Sequence, residues 1–300
     1  IYTATLSAQQ GFIIFGDTAM DYFGQSVSSA GDLNGDGYDD LIIGAYGGAD
    51  GGSNAGEAYV IFGSSLGYGS PDANGRMIID LTSVTQNQGF IIRGSANNQM
   101  GWSVSSAGDI NGDGRDDILV SAHGANGAKG QAWVIFGSTT GFGTTADSSQ
   151  RQYLDLSKIT QERGFIIRGS RETGTLIENL GFSVGSAGDV NGDGIDDLIV
   201  GATYAGQYSS ATQRNGEAYI IYGTTGTFGT LDGVNRVIST GSLEASKGII
   251  LRGYSNNAET GSDAFGWAVG AGDVNGDGID DLIVGSRTAD DGAINGGAAM

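Results

Sequence analysis

Short apolar runs bounded by glycine recur along the whole chain and determine the expected architecture. The runs are rich in β-branched and aromatic residues, as in DDLIIGA at 39–45, AYVIFG at 58–63 and GFIIRG at 89–94. Such runs predict short strands that are buried in a packed structure. Because no segment shows a 3.6-residue apolar period with helix caps, the pattern predicts an all-β protein.

The runs follow one another in a fixed order that defines repeats. An acidic segment of the form GDxNGDGxDD begins at residues 31, 108, 188 and 272. In every repeat, one strand motif precedes the acidic segment and a second follows directly from its end. The first three repeats contain two further strand motifs after these. Units of four short strands cannot bury both faces alone and are typical of blades stacked around an axis. The sequence therefore predicts a β-propeller of four-stranded blades.

The repeats predict that the chain forms a single domain. We expect a single β-propeller over 1–300, with repeats at 17–94, 95–169, 170–253 and an incomplete 254–300, and with 11–16 as an outer strand that closes a blade from the other end of the ring. The fourth repeat stops where its third strand should begin, which would leave a strand ladder unpaired. We therefore expect the chain to be part of a larger ring, and a four-bladed ring is the alternative.

Each acidic segment places oxygen ligands at alternate positions. With the first Asp as position one, side chains at positions one, three, five and nine and the backbone carbonyl at position seven can surround Ca²⁺, which takes 6–8 oxygens at roughly 2.3–2.6 Å. Glycine at position six permits the sharp turn. The sequence predicts one Ca²⁺ per repeat, about four in all. The predicted ligands are Asp32, Asn34, Asp36, Tyr38 and Asp40; Asp109, Asn111, Asp113, Arg115 and Asp117; Asp189, Asn191, Asp193, Ile195 and Asp197; Asp273, Asn275, Asp277, Ile279 and Asp281.

The segments differ from an EF-hand and from a zinc site. An EF-hand needs a bidentate Glu at position twelve, where the four copies carry Ile43, Val120, Val200 and Val284. No nitrogen or sulfur ligand for zinc is present in them. The alternative is a solvated Asx-rich turn. Four near-identical copies favour calcium, because a plain turn does not need four carboxylates.

Charge supports a cationic ligand and argues against other partners. The net charge is −20, and 16 of the 34 acidic residues lie in the four segments. Nucleic acid and acidic lipid need Lys and Arg, and no apolar run approaches the ~18 residues of a membrane span. We therefore expect no nucleic-acid binding and no membrane insertion. Calcium sites of extracellular modules have Kd values of about 10⁻⁴–10⁻³ M, which predicts an extracellular or cell-surface location.

The repeat unit resembles the FG-GAP repeat of integrin α-subunit propellers and their bacterial relatives. Phe23-Gly24 and Gly44-Ala45 bracket the first copy, whereas the second departs with Met100-Gly101. The resemblance covers nearly the whole chain. It implies a seven-bladed ring, calcium loops on one face and ligand contacts from the opposite face. The spacing of about 80 residues exceeds that of the family, and the excess lies in inserts at 64–88, 138–163 and 224–247.

The resulting functional hypothesis is a non-enzymatic domain for adhesion or for binding an extracellular protein or polysaccharide. The alternatives are a lectin or carbohydrate-active enzyme, with Glu178 or Glu259 in a carboxylate pair, and a purely structural element. Catalysis needs residues that break the repeat, and the sequence offers one histidine and no cysteine. We expect His123 to lie at the surface. The recurrent arginines of the fourth strand motif are expected to form ion pairs at the blade edges: Arg93, Arg168 and Arg252.

Overall fold

The described part of the protein consists almost entirely of strands and turns. A computed structural model describes residues 3–142, 145–147, 150–169, 177–206, 215–253, 263–289 and 298–300. Its helices are short: α1 (Ala125–Ala128) and 3-10 turns at Thr3–Thr5, Leu81–Ser83, Leu156–Lys158 and Thr240–Ser242. The prediction of an all-β protein is therefore confirmed.

The strands group by repeat. Strand β1 is Phe12–Phe15, and the first repeat contains β2 (Ser26–Gly31), β3 (Asp40–Ala45), β4 (Glu57–Ile61), β5 (Ser70–Pro71), β6 (Met77–Asp80) and β7 (Gly89–Arg93). The second contains β8 (Val104–Gly108), β9 (Asp117–Ala122), β10 (Gln131–Ile135), β11 (Thr145–Ala146), β12 (Gln152–Asp155) and β13 (Gly164–Arg168). The third contains β14 (Leu180–Gly188), β15 (Asp197–Ala202), β16 (Glu217–Ile221), β17 (Thr230–Asp232), β18 (Asn235–Ser239) and β19 (Gly248–Arg252). The fourth contains β20 (Phe265–Gly272), β21 (Asp281–Ser286) and β22 (Ala298–Ala299).

Each of the first three repeats forms an antiparallel four-stranded blade. The blades are β2-β3-β4-β7, β8-β9-β10-β13 and β14-β15-β16-β19, and the described strands of the fourth repeat are β20-β21-β22. The acidic loops join the first and second strands at one end of every blade, which we call the loop face. The starts of the first strands and the ends of the second lie at the other end, which we call the opposite face.

The inserts between the third and fourth strands bind to the preceding blade. Strand β6 pairs in parallel with β1, β12 pairs in parallel with β7, and β18 pairs in parallel with β13. Each insert is a hairpin that adds two strands to the outer edge of a neighbour. Because an uncovered edge strand exposes unpaired N–H and C=O groups, the inserts both protect that edge and join consecutive blades.

Strand β1 has one described neighbour. It pairs with β6 of the first insert, register Phe12 with Met77, as β7 and β13 pair with the inserts that follow them. This places β1 where a fourth strand would lie. Its role in closing a blade from the other end of the ring stays a prediction, as do the domain boundaries.

The core lies between the blades. The third strands β4 and β16 are buried at every position, and alternate side chains point to the two neighbouring layers. Val60 and Ile92 of the first blade pack in one cluster with Trp133 and Ile166 of the second. Each such side chain contributes about 1.5–3 kcal/mol on burial, so the stacking of blades supplies most of the apolar stabilisation.

A carboxylate of the second loop and one of the third loop also cross to the preceding blade. Oδ2 of Asp116 accepts a hydrogen bond from the backbone N–H of Asp32 at 2.8 Å, and Oδ2 of Asp196 accepts one from Asp109 at 2.9 Å. The residue before each donor N–H group is a glycine, Gly31 or Gly108, with φ of +64° and +61°. A Cβ on Gly108 would lie 2.1 Å from Oδ2 of Asp196. Glycine is therefore required there for two reasons, conformation and space.

We expect Gly108→Ala to destabilise the fold more than Gly127→Ala. Gly127 also has a positive φ, +68°, but a Cβ there would meet nothing within 4 Å, so both variants share the backbone strain. Displacing the Asp196 carboxylate should add about 1–3 kcal/mol to the loss at Gly108. Urea unfolding of the two variants measures the difference. Equal losses would show that this carboxylate is not needed between the blades.

Candidate metal centres and the opposite face

Each acidic loop is a tight turn held by its own carboxylates. In the first loop, Oδ1 and Oδ2 of Asp32 accept hydrogen bonds from the N–H groups of Asp36 and Gly37 at 2.9 and 2.8 Å. Oδ1 of Asn34 also accepts from the N–H of Asp36, at 2.9 Å. The third and fourth loops repeat these bonds. The predicted ligands at positions one, three and five are therefore gathered around one turn in these loops.

The aspartate at position nine lies deeper than the others. Asp40 and its equivalents Asp117 and Asp197 are fully buried. Oδ1 of Asp40 accepts from the N–H of Gly63 at 2.8 Å, directly after the third strand of the same blade. The same bond joins Asp117 to Gly137. Position nine therefore links its loop to the third strand, as well as facing the other carboxylates.

Burial raises the pKa of these aspartates. The pKa of Asp40 rises to about 7, first because of burial and further because of the nearby carboxylates of Asp36 and Asp32. The pKa of Asp117 rises to about 8 and that of Asp197 to about 6, with burial again the largest cause. A group of carboxylates that resist ionisation together is stabilised in its charged form by a bound cation.

The donor set fits Ca²⁺. Every predicted side-chain ligand is a carboxylate or an amide oxygen, which hard divalent cations prefer. In the second loop, Oδ1 of Asn111 is a buried atom without a hydrogen-bond partner. Buried oxygens normally have a partner, and a metal ion would supply one here. Positions one, three, five and nine would hold the ion through side chains and position seven through its carbonyl.

The side chains at position seven are not equivalent. Tyr38, Ile195 and Ile279 are the residues of three loops, and Arg115 stands in the second. The guanidinium of Arg115 donates from Nη2 to Oδ2 of Asp113 at 2.9 Å. A cation beside a predicted ligand opposes binding of a second cation, so the second loop is expected to bind calcium more weakly than the others.

The sequence analysis missed the role of position eight. It treated the Asp-Asp pair that ends each loop as one acidic feature and assigned only the second residue. The structure separates the two: Asp116 and Asp196 hold the preceding blade, whereas Asp117 and Asp197 face their own loop. The doublet in all four copies, with glycine before each loop, was the signal that could have indicated this.

A second acidic cluster lies at the opposite face of the first blade. Asp17, Asp50 and Glu57 bring carboxylate oxygens within 4.8 Å of one another. Arg151 donates to Asp17 and, at 3.0 Å, to Asp50, and Arg93 donates to Asp50 at 2.7 Å. Two guanidinium groups offset most of the charge of this cluster, and Arg151 of the second insert is thereby fastened to the first blade.

Aromatic rings form a continuous row along the opposite face. Neighbouring ring centroids lie 4.2 to 5.4 Å apart from the first blade to the fourth. The aromatic row consists of Tyr22, Tyr46, Trp102, His123, Phe182 and Trp267. Tyr22 is exposed and the other rings are half-buried. Such rings offer both an apolar surface and polar edges to a partner.

His123 lies at the surface as expected, but it is half-buried because aromatic rings pack around it. Its ring lies 4.2 Å from that of Trp102, centroid to centroid, and contacts Phe182 as well. Burial lowers the pKa of His123 to about 4. The neutral imidazole therefore acts as one of the packed rings of the aromatic row.

The recurrent arginines form the expected ion pairs. Arg168 bonds Asp232 of the third insert at 2.7 Å, and Arg252 bonds Glu217 of its own blade at 3.1 Å. The carboxylate pair considered for a glycosidase is not described: Glu178 is buried, and Glu259 lies outside the described residues.

Comparison with known proteins identifies the repeats. The family model described as FG-GAP repeat matches residues 23–61, 100–135, 181–221 and 265–298. Each match begins close to the start of a first strand and ends within a third strand. The four acidic loops lie inside the four matches.

Curated relatives match over the repeats. The chain is 28% identical to integrin alpha pat-2 of Caenorhabditis briggsae over 274 residues, which is 89% of this chain and 18% of that protein. It is 30% identical to phosphatidylinositol-glycan-specific phospholipase D of Homo sapiens over 198 residues, 64% of this chain and 19% of that protein. The chain thus spans about a fifth of the length of these relatives. Among its described residues, no helix has the length and apolar character needed to span a bilayer.

We expect stability to depend on pH when calcium is chelated. The raised pKa of Asp117, about 8, favours the folded chain while the group is protonated. This contribution is fully present below the unfolded pKa of ~3.9 and is lost as the pH rises through about 8. In EGTA, the free energy of unfolding should therefore decline more steeply over this range in the parent protein than in Asp117→Asn. Parallel pH profiles from urea titrations would contradict the assignment.

Proposed function

The chain belongs to the FG-GAP repeat family, and from this membership we propose that it is a non-enzymatic, calcium-stabilised β-propeller domain. It mediates adhesion or another interaction with an extracellular protein or polysaccharide, as part of a secreted or cell-surface protein. The observation that carries the proposal is the set of four loops that place buried and half-buried carboxylates at one face of consecutive blades.

The calcium proposal rests on the chemistry of the loops. They contain 16 of the 34 acids of a chain with a net charge of −20. At about tenfold excess over Kd, one site stabilises the fold by about 1.4 kcal/mol. Four sites then contribute about 5–6 kcal/mol, comparable with the ~5–15 kcal/mol stability of a domain. Ions that contribute this much free energy are structural parts of the fold. Sites with such Kd values would be occupied at the millimolar calcium concentration outside cells.

The aromatic row supports binding at the opposite face. It crosses four blades, and its last ring, Trp267, is covered by the guanidinium of Arg287 at 4.3 Å from the ring centroid. Exposed aromatic and Arg side chains are enriched among residues that dominate binding energy. Integrin alpha subunits are among the relatives of the chain, which favours an adhesive role over a purely structural one.

We expect millimolar Ca²⁺ to raise the melting temperature by several degrees relative to EGTA, and Mg²⁺ to have a smaller effect. Asp36→Asn should reduce the rise by about a quarter, because it removes a ligand from one of four sites. Glu162→Gln is the control, since it removes one charge at an exposed position outside the four loops. Differential scanning calorimetry measures both. Identical melting in calcium and EGTA would refute the calcium proposal.

We expect binding to extracellular matrix proteins or polysaccharides on an array to depend on the aromatic row. Tyr22→Ser should weaken binding by about tenfold, because a well-placed interface aromatic contributes more than ~1 kcal/mol. Tyr38→Ser, on the loop face and similarly exposed, is the control. Loss of binding in the control alone would place the contact on the loop face. Release of reducing ends from any bound polysaccharide would replace the non-enzymatic proposal by a glycosidase.

A further inference from the structure

A cleft of ≈ 200 Å³ opens between the first and second blades at the opposite face. Arg93 ends β7 on one side, and Arg168 ends β13 on the other. Five polar or aromatic side chains line the cleft: Arg93, Gln131, Trp133, Arg168 and Asn235. It is separate from the calcium loops, which lie at the other end of the blades.

Four polar atoms of the cleft are buried without a hydrogen-bond partner. They are Nε of Arg93, Nε of Arg168, Nε1 of Trp133 and Oδ1 of Asn235. Trp133 is only 5% exposed. Because buried polar atoms in folded proteins are nearly always paired, three N–H donors and one acceptor around a single cleft indicate a ligand.

The ion pairs of the two arginines leave these atoms available. Arg93 uses Nη2 for Asp50 and Asp147, and Arg168 uses Nη1 for Asp232. The Nε–H groups of both residues take no part in these bonds. A small anion can therefore accept hydrogen bonds from the Nε–H groups without breaking the ion pairs that these arginines form.

The cleft lies where the second blade departs from the repeat. The third strands of the first and third blades begin with Glu57-Ala58-Tyr59 and Glu217-Ala218-Tyr219, whereas the second begins with Gln131-Ala132-Trp133. In the third blade, Oε1 of Glu217 accepts from Nε of Arg252 at 3.1 Å. Gln131 pairs with Arg168 in the same register as Glu217 with Arg252. The second blade thus keeps the arginine and lacks the carboxylate.

We propose that this cleft binds a small hydroxycarboxylate, whose carboxylate supplies Arg168 with the charged acceptor that Glu217 supplies to Arg252 in the third blade. The two carboxylate oxygens accept from the Nε–H of Arg168 and the indole N–H of Trp133, with Arg93 nearby. Charge-assisted bonds of this kind are about twice as strong as neutral ones. Oδ1 of Asn235 is an acceptor only, and it accepts a hydrogen bond from the hydroxyl group of the ligand.

The test follows the indole N–H signal of Trp133 in ¹H–¹⁵N spectra of the whole chain at fixed free Ca²⁺. Glycolate should shift the signal saturably, acetate more weakly because it lacks the hydroxyl, and neutral glycolamide not at all. Trp102 serves as the internal control, since its Nε1 already donates to the carbonyl of Phe182 at 3.1 Å. Trp133→Phe assigns the signal.

Gln131→Glu is the decisive variant, because it restores the carboxylate found in the first and third blades. It should weaken glycolate binding at least about tenfold, whereas Gln25→Glu, which adds the same charge at an exposed site, should not. If Gln131→Glu does not fold, Arg168→Lys tests the same contact, since it keeps the charge and removes Nε–H. Equal shifts with glycolate and glycolamide, or unchanged binding in Gln131→Glu, would overturn the proposal. These outcomes do not depend on what the aromatic row binds.

Discussion

Hydrogen bonds from backbone N–H groups to aspartate carboxylates hold the loop face of this propeller together. The carboxylate at position one organises its own turn, the one at position eight reaches the preceding blade, and the one at position nine fixes the third strand. A single short segment therefore joins a loop, a blade and its neighbour. Because carboxylates make all of these bonds, the fold concentrates acidic groups at one face, and we expect cations to affect its stability.

The inserts provide the second connection between blades. Each adds a parallel strand to the edge of the preceding fourth strand, and Arg93 and Arg168 bind acids of the inserts that reach them. Carboxylates thus link successive blades at the acidic loops, and the hairpins of the inserts link them at their outer edges. Buried apolar side chains fill the space between these two sets of contacts.

The opposite face does not contain the acidic loops, and its residues differ from blade to blade. Its first blade carries the cluster of Asp17, Asp50 and Glu57, the aromatic row runs from the first blade to the fourth, and a cleft with unpaired donors lies between the first and second blades. Function is expected where a repeat protein departs from its own pattern, since identical positions satisfy the needs of the fold. Gln131 and Trp133 are such departures, and so is His123.

The sequence alone determined the strands, the number of repeats and the composition of the acidic loops, because these depend on local periodicity and on residue types a few positions apart. It could not determine which aspartate of each doublet crosses between blades, since adjacent residues of the same type differ only in what lies beside them. Nor could it predict that the inserts pair in parallel with a preceding strand, or that His123 is packed between aromatic rings. Those contacts join residues tens of positions apart, and only the stacking of blades brings them within hydrogen-bonding or van der Waals distance.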